Sequence, residues 1–215
     1  FEEGCPLVIL ACNTASAKAL RSIQQNDLPV LAFDRRVLGV IRPTVEVIGD
    51  MTKTRKIGVL GTLGTIQSES YPLEIKKLYP DIEVYSEPCP MWVPLIENNE
   101  HNSPGADYFV KLYIDRLMNR CSQIDTVILG CTHYPLLRSK IMAYFGEEIH
   151  IVNPAYETAM DLKAALNDCG IANQSGIPAT YEFYVSDAAQ KFTKFANSIL
   201  PYDVAATKQI NIEEY

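Results

Sequence analysis

An apolar run ending in a cysteine occurs twice in this chain, and the repeat constrains what the chain can fold into. Val8-Ile9-Leu10-Ala11-Cys12-Asn13-Thr14 returns as Val127-Ile128-Leu129-Gly130-Cys131-Thr132-His133. Each run reads as a buried strand followed by hydrogen-bonding side chains. Strand-like runs fall at 7–11, 28–33, 57–60, 82–85, 127–130, 149–152 and 181–185. Helical patterns fall at 15–25, 44–50, 68–78, 105–120, 135–145, 157–168 and 188–199. Asn13 or Thr14 is suited to cap the first of these helices. Strands alternating with helices predict βα units and a mainly parallel sheet, an α/β fold. Pro88, Pro90 and Pro94 predict an irregular connection, Gly170 a helix stop, 173–178 a loop and 201–215 a surface tail.

A chain of 215 residues can bury a substantial core, as one large domain or two small ones. Its net charge of −7 argues against a general nucleic-acid footprint. An acidic surface does not exclude an anionic substrate, because binding depends on local amides and dipoles. No apolar run approaches the roughly 18 residues of a membrane span. The opening residues lack the basic start and apolar stretch of a signal peptide. Six cysteines, at 5, 12, 89, 121, 131 and 169, form no Cys-x-x-Cys pair, and His101, His133 and His150 are scattered. No metal site is expected from that spacing. Nothing else looks secreted, so the cysteines read as reduced thiols of a cytoplasmic protein.

In open α/β sheets, ligands sit outside the carboxyl ends of the strands. The repeat therefore proposes two thiols at equivalent strand ends, facing one ligand. A single cysteine there is ordinarily a small core residue. Two of them, each beside a polar pair, ask for more than packing, whereas the other four are assigned to packing or surface. Unjoined paired thiols suit a base on one face of a carbon and an acid on the other, the chemistry of inverting a carbon–hydrogen stereocentre. Near-attack contacts of roughly 3–3.5 Å on each face would separate the sulfurs by about 6–7 Å, too far for a disulfide. One thiol must act as thiolate while the other stays protonated.

Asn13, Thr14, Thr132 and His133 are suited to bind carboxylate or amino groups, and His133 reads either as proton partner of Cys131 or as an interior histidine. Gly61-Thr62-x-x-Thr65 lacks the lysine and spacing of a P-loop. It reads either as a turn capped by threonine or as a holder for one carboxylate. Glu97 reads as an exposed loop carboxylate or as a lining of the cleft. With no cofactor motif to act as an electron sink, electrostatic preorganisation is left to stabilise a carbanion-like transition state.

The stretches Ala11-Cys12-Asn13-Thr14-Ala15 and Leu129-Gly130-Cys131-Thr132-His133-Tyr134-Pro135-Leu136 resemble the glutamate racemases. These belong to the cofactor-independent aspartate/glutamate racemase superfamily. Gly61-Thr62 to Thr65 and Val93-Pro94 to Glu97 also fit, and the likeness runs to about residue 200. The resemblance implies two pseudo-symmetric α/β domains with mainly parallel sheets, residues 1–38 plus 153–200 and residues 39–152, and an active site in the cleft between them. It implies catalysis by Cys12 on D-glutamate and Cys131 on L-glutamate, with His133 assisting Cys131. Asn13, Thr14 and Thr132 then match substrate contacts, and Thr62 and Thr65 a carboxylate-binding turn, with neither cofactor nor metal. It also implies a homodimer with glutamate as its substrate and no nucleic-acid or membrane partner. The product would be D-glutamate for peptidoglycan synthesis in a bacterial cytoplasm.

One departure stands out. The Asp-Ser-Gly and Pro-Tyr-Gly motifs of the family's opening strands are absent, and the chain begins just before the Cys-Asn-Thr strand. The expectation is a first domain lacking strands over its sheet, poorly stable in that half and weak as an enzyme. The alternatives are a racemase for aspartate or another amino acid, an inactive racemase-like fragment or binding protein, and a Cys-His thiol hydrolase. The last leaves the second cysteine without a task.

Overall fold

A computed structural model describes residues 1, 4–168, 170 and 172–212. The chain divides into two compact units, Phe1–Gly170 and Ile171–Tyr215. Among the described residues no helix is long and apolar enough to cross a membrane.

The first unit holds two parallel sheets. The larger is built on β3 (Lys56–Gly61) and β5 (Thr126–Gly130), flanked by β4 (Glu83–Pro88) and β6 (His150–Val152) in the order β4-β3-β5-β6. Its register pairs Gly61 with Pro88 on one side and with Gly130 on the other, so three strands end level at one edge. Burial on both faces explains why β3 and β5 read as continuous apolar runs. Ile57, Val59 and Ile128 pack against α3 (Ile41–Met51) and α5 (Ser70–Leu78) through Val45, Ile48, Tyr71 and Ile75. The opposite face lies under α7 (Pro104–Arg120), so close that a Cβ at Gly58 would stand 2.6 Å from Leu117 Cδ2. Pro104 in the first turn and Ser103 as N-cap start α7, the cap accepting from Ala106 N–H.

The smaller sheet pairs β1 (Leu7–Leu10) with β2 (Arg36–Gly39). β1 is only half buried, and Ile9 is exposed. α1 (Asn13–Ser22) follows β1, continues through a π-helical turn at Ile23–Asp27 and ends in α2 (Leu28–Leu31). The strand expected at 28–33 is therefore corrected: that segment turns helically, and the strand lies later, at Arg36–Gly39. Pro29 sits in the first turn of α2, where a missing N–H costs nothing. The apolar side chains of the segment have no sheet to enter, and Val30 and Phe33 are each 83% exposed.

Two further expectations are amended. The proline-rich connection contains α6 (Trp92–Glu97), with Pro94 in its first turn. The helix expected over 68–78 forms as α5, beginning at Ser70 after a left-handed Glu69, and an unexpected short helix, α4 (Leu63–Gln67), precedes it. A 3₁₀ turn (Tyr134–Leu137) leads into α8 (Arg138–Phe145), and α9 (Pro154–Asp168) packs beside α3. Gly170 has the positive φ of +66° that a helix stop requires. Cys169 lies outside the described residues.

The second unit contains β7 (Tyr184–Val185), α10 (Ala189–Ile199) and β8 (Lys208–Gln209). The stretch read as a tail supplies β8, which pairs in parallel with β7. Stacking of Tyr181 on Tyr202 and a 2.8 Å hydroxyl contact between Thr193 and Thr207 tie this unit together.

Candidate functional site

Apart from Glu97, at the end of α6, the polar residues singled out for the site lie just beyond the carboxyl ends of β1, β3 and β5. Cys12 is two residues past β1 and occupies the N-cap position of α1, correcting the expectation that Asn13 or Thr14 would cap. Its side chain makes no capping bond, so the first-turn N–H groups of α1 stay available to an anion. Cys131 directly follows β5. Cys12 is exposed and Cys131 is buried.

Three threonine hydroxyls join the two sheets. Thr14 Oγ1 lies 2.8 Å from Thr62 Oγ1 and 3.0 Å from Thr65 Oγ1, and those two are 3.1 Å apart. Thr62 also caps α4 by accepting from Thr65 N–H. The reading of this turn as capped by threonine holds, and the capping hydroxyl also belongs to the hydroxyl triangle. Gly64 allows the approach: a Cβ there would stand 3.1 Å from Thr14 Cγ2. The triangle brings the end of β1 against the end of β3.

Around Cys131 the side chains form a second cluster. His133 Nδ1 is 3.8 Å from Cys131 Sγ and 3.4 Å from Thr132 Oγ1. His133 Nε2 is 3.3 Å from Glu97 Oε1. With a single ring proton on Nε2, the side that faces the Glu97 carboxylate, Nδ1 would be the nitrogen to accept from the Cys131 thiol. Glu97 stands on the side of the ring that favours this tautomer. Edge-to-face packing of Trp92 on Tyr134 at 4.7 Å braces α6 against the 3₁₀ turn, which holds Glu97 near His133. Burial pushes the Cys131 thiol up from its ordinary value, the backbone N–H of His133 pulls it back, and charge on Cys12 would push it further. Cys131 is therefore held as a thiol and is within electrostatic reach of Cys12.

Asn13 is 3% exposed, and its Nδ2 donates to Tyr71 Oη at 2.7 Å. Tyr71 is absent from the residues singled out in the sequence. A tyrosine 58 positions away on an amphipathic helix carries no local signal of a polar partner. The structure thus groups Thr14 with Thr62 and Thr65, Cys131 with Thr132, His133 and Glu97, and Asn13 with Tyr71.

Residues 2–160 match the Asp/Glu/hydantoin racemase family. Over 207 residues the chain is 38% identical to the glutamate racemase of Enterococcus faecalis, covering 96% of this chain and 73% of that protein. A glutamate racemase of Listeria monocytogenes is 36% identical over 201 residues, 93% of this chain and 72% of that one. Among solved structures, a glutamate racemase isoform of Bacillus anthracis superposes with a TM-score of 0.87 at 34% identity, covering 96% and 74%. The Francisella tularensis glutamate racemase in complex with D-glutamate gives 0.86 at 28% identity, covering 100% and 76%. The chain spans about three quarters of the length of these relatives. It belongs to the Asp/Glu/hydantoin racemase family, as an amino-acid racemase whose homologues are glutamate racemases.

Proposed function

We propose that the protein interconverts L- and D-glutamate with Cys12 and Cys131 as the two proton-transfer groups. The observation that carries this reading is the threonine triangle, which sets the Cys12 loop against the sheet whose β5 ends at Cys131. The D-glutamate bound to the Francisella relative supports the choice of substrate. A thiolate at Cys12 removes the Cα proton of D-glutamate. The electron pair left on Cα delocalises into the adjacent carboxylate, and the Cys131 S–H delivers its proton to the opposite face. Cys12 ends as thiol and Cys131 as thiolate, which is the starting state for L-glutamate. Burial of Cys131 favours its protonated form and so its role as acid in this direction. In the reverse direction the Cys131 thiolate takes the Cα proton of L-glutamate and the Cys12 S–H delivers its proton to the opposite face; where Cys131 starts as a thiol, His133 prepares that thiolate by accepting its proton as imidazolium beside Glu97.

Asn13, Thr14, Thr62, Thr65 and Thr132 hold the amino and carboxylate groups, and neither metal nor cofactor enters the scheme. The two halves of this site correspond to a domain of residues 1–38 plus 153–200 and one of 39–152. A cytoplasmic homodimer supplying D-glutamate for peptidoglycan completes the reading.

The test is hydrogen–deuterium exchange at Cα of D- and L-glutamate in heavy water, with aspartate run in parallel. Exchange with inversion on glutamate, lost in both Cys12→Ala and Cys131→Ala, is the expected result. Faster turnover of aspartate would reassign the substrate. No exchange on either acid would leave a binding protein with the racemase fold.

A further inference from the structure

His133 and Glu97 hold each other only loosely. Their contact is 3.3 Å and the side chains are 26% and 53% exposed, so water competes for both. Their separation is therefore set by the elements that carry them. Glu97 ends α6, and His133 lies in the turn that Tyr134 N–H closes by donating to Cys131 O at 3.2 Å. One carbonyl joins the two elements. Cys89 O accepts from Trp92 N–H, at the start of α6, at 3.3 Å, and from the Tyr134 hydroxyl at 3.2 Å. A carbonyl has two lone pairs and can only accept, so both bonds form together and their direction is fixed. Cys89 N–H donates in turn to Gly61 O at 2.8 Å, which seats this carbonyl at the edge where β3 and β5 end level. Cys89 and Tyr134 are both fully buried, and no water substitutes for the phenol bond.

We propose that Tyr134 is a positioning residue whose hydroxyl, through Cys89 O, sets the distance of His133 from Glu97 and Cys131. The inference rests on the reading that His133 accepts the Cys131 proton. It gives the buried phenol a part in the reaction that runs through His133 alone. The ring packs on Trp92, and the hydroxyl determines how far the 131–134 turn lies from α6. Titratable groups within electrostatic reach of this corner are Glu97 on α6, Cys12 after β1, Cys89 after β4 and Tyr113 on α7. None of them is altered when only the Tyr134 oxygen is removed.

Tyr134→Phe keeps the ring against Trp92, and Cys89 O keeps the Trp92 N–H, so the variant should melt close to wild type. Iodoacetamide labelling of each cysteine against pH, read by peptide mass spectrometry, yields two quantities. The midpoint reports thiolate formation, and the limiting rate at high pH reports access. The expected result is a Cys131 midpoint raised by about one pH unit, toward that of His133→Asn. Its limiting rate should stay the same, and the Cys12 midpoint should not rise. kcat/KM should fall about tenfold for L- and D-glutamate alike, since the equilibrium constant between mirror images is one. In a His133→Asn background, Tyr134→Phe should add nothing. An unchanged Cys131 midpoint in Tyr134→Phe would overturn the proposal. So would a raised limiting rate, an early melt or a further loss on top of His133→Asn, each the mark of a merely structural role. A Cys131 midpoint unmoved by His133→Asn itself, or a wild type without glutamate turnover, would overturn the functional reading and this inference with it.

Discussion

Thr14→Val isolates one side of the threonine triangle. Valine matches threonine in shape, so the substitution removes the 2.8 and 3.0 Å contacts while leaving the Thr62–Thr65 contact and the α4 cap in place. Two neutral hydroxyl bonds are worth about 1–3 kcal/mol when fully buried. Here Thr14 and Thr62 are only half buried, water replaces the lost partner, and about 1 kcal/mol of stability is the expected loss. A bond to a bound carboxylate is worth more, about 1.5–3 kcal/mol, which raises KM about 10- to 100-fold with little change in kcat. Thr62→Val removes the same contact to Thr14 and also the α4 cap, adding about 1 kcal/mol of destabilisation. Initial rates with each enantiomer, set beside thermal melts, separate the two effects. A Thr14→Val enzyme whose KM stays within about twofold of wild type would refute the claim that this triangle binds substrate.

Other outcomes follow from groups nearby. Glu87, 2% exposed, is paired with Arg120 at 2.7 Å, and burial raises its carboxyl despite Arg120 and Arg116. Arg120→Ala should raise it further. A folded pKa above the unfolded one means stability is greatest below the ordinary glutamate pKa and falls as pH rises through the raised value. The variant should therefore lose about 2 kcal/mol at neutral pH and much less near pH 4, as read by urea melts at both; an equal loss would contradict it. Cys131, raised by burial, should react with iodoacetamide only at a pH above that needed by a free thiol, with peptide mass spectrometry as the readout. Labelling as fast as a free thiol at neutral pH would refute this. Amides of β1, which among the described residues pairs on one side only, should exchange with deuterium far faster than those of β3, flanked on both sides.

Where burial is two-sided, the sequence announced the structure. β3 and β5 are covered on both faces, so their apolar runs were unambiguous, and the residues after them followed. Leu28-Pro29-Val30-Leu31-Ala32-Phe33 misled because a short apolar run fits a strand or a helical turn equally by period. β2 was hidden by Arg35 just before it and Arg36 as its first residue. Cys12 gave away its strand end but not its N-cap position, since cysteine is not a usual capping residue. The His133–Glu97 and Asn13–Tyr71 contacts depend on how α6 and α5 lie against the sheet. That placement is set by packing of Trp92 on Tyr134 and of Tyr71 under β3, which no local pattern encodes.

The three threonines satisfy one another when no substrate is bound. On the proposed function, an arriving carboxylate must therefore displace bonds already made, and gains only the difference between a charge-assisted bond and a neutral one. Such a site holds its ligand loosely. For a catalyst whose substrate and product are mirror images gripped by the same groups, loose grip serves both directions equally, since tight ground-state binding of either hand would slow release of the other.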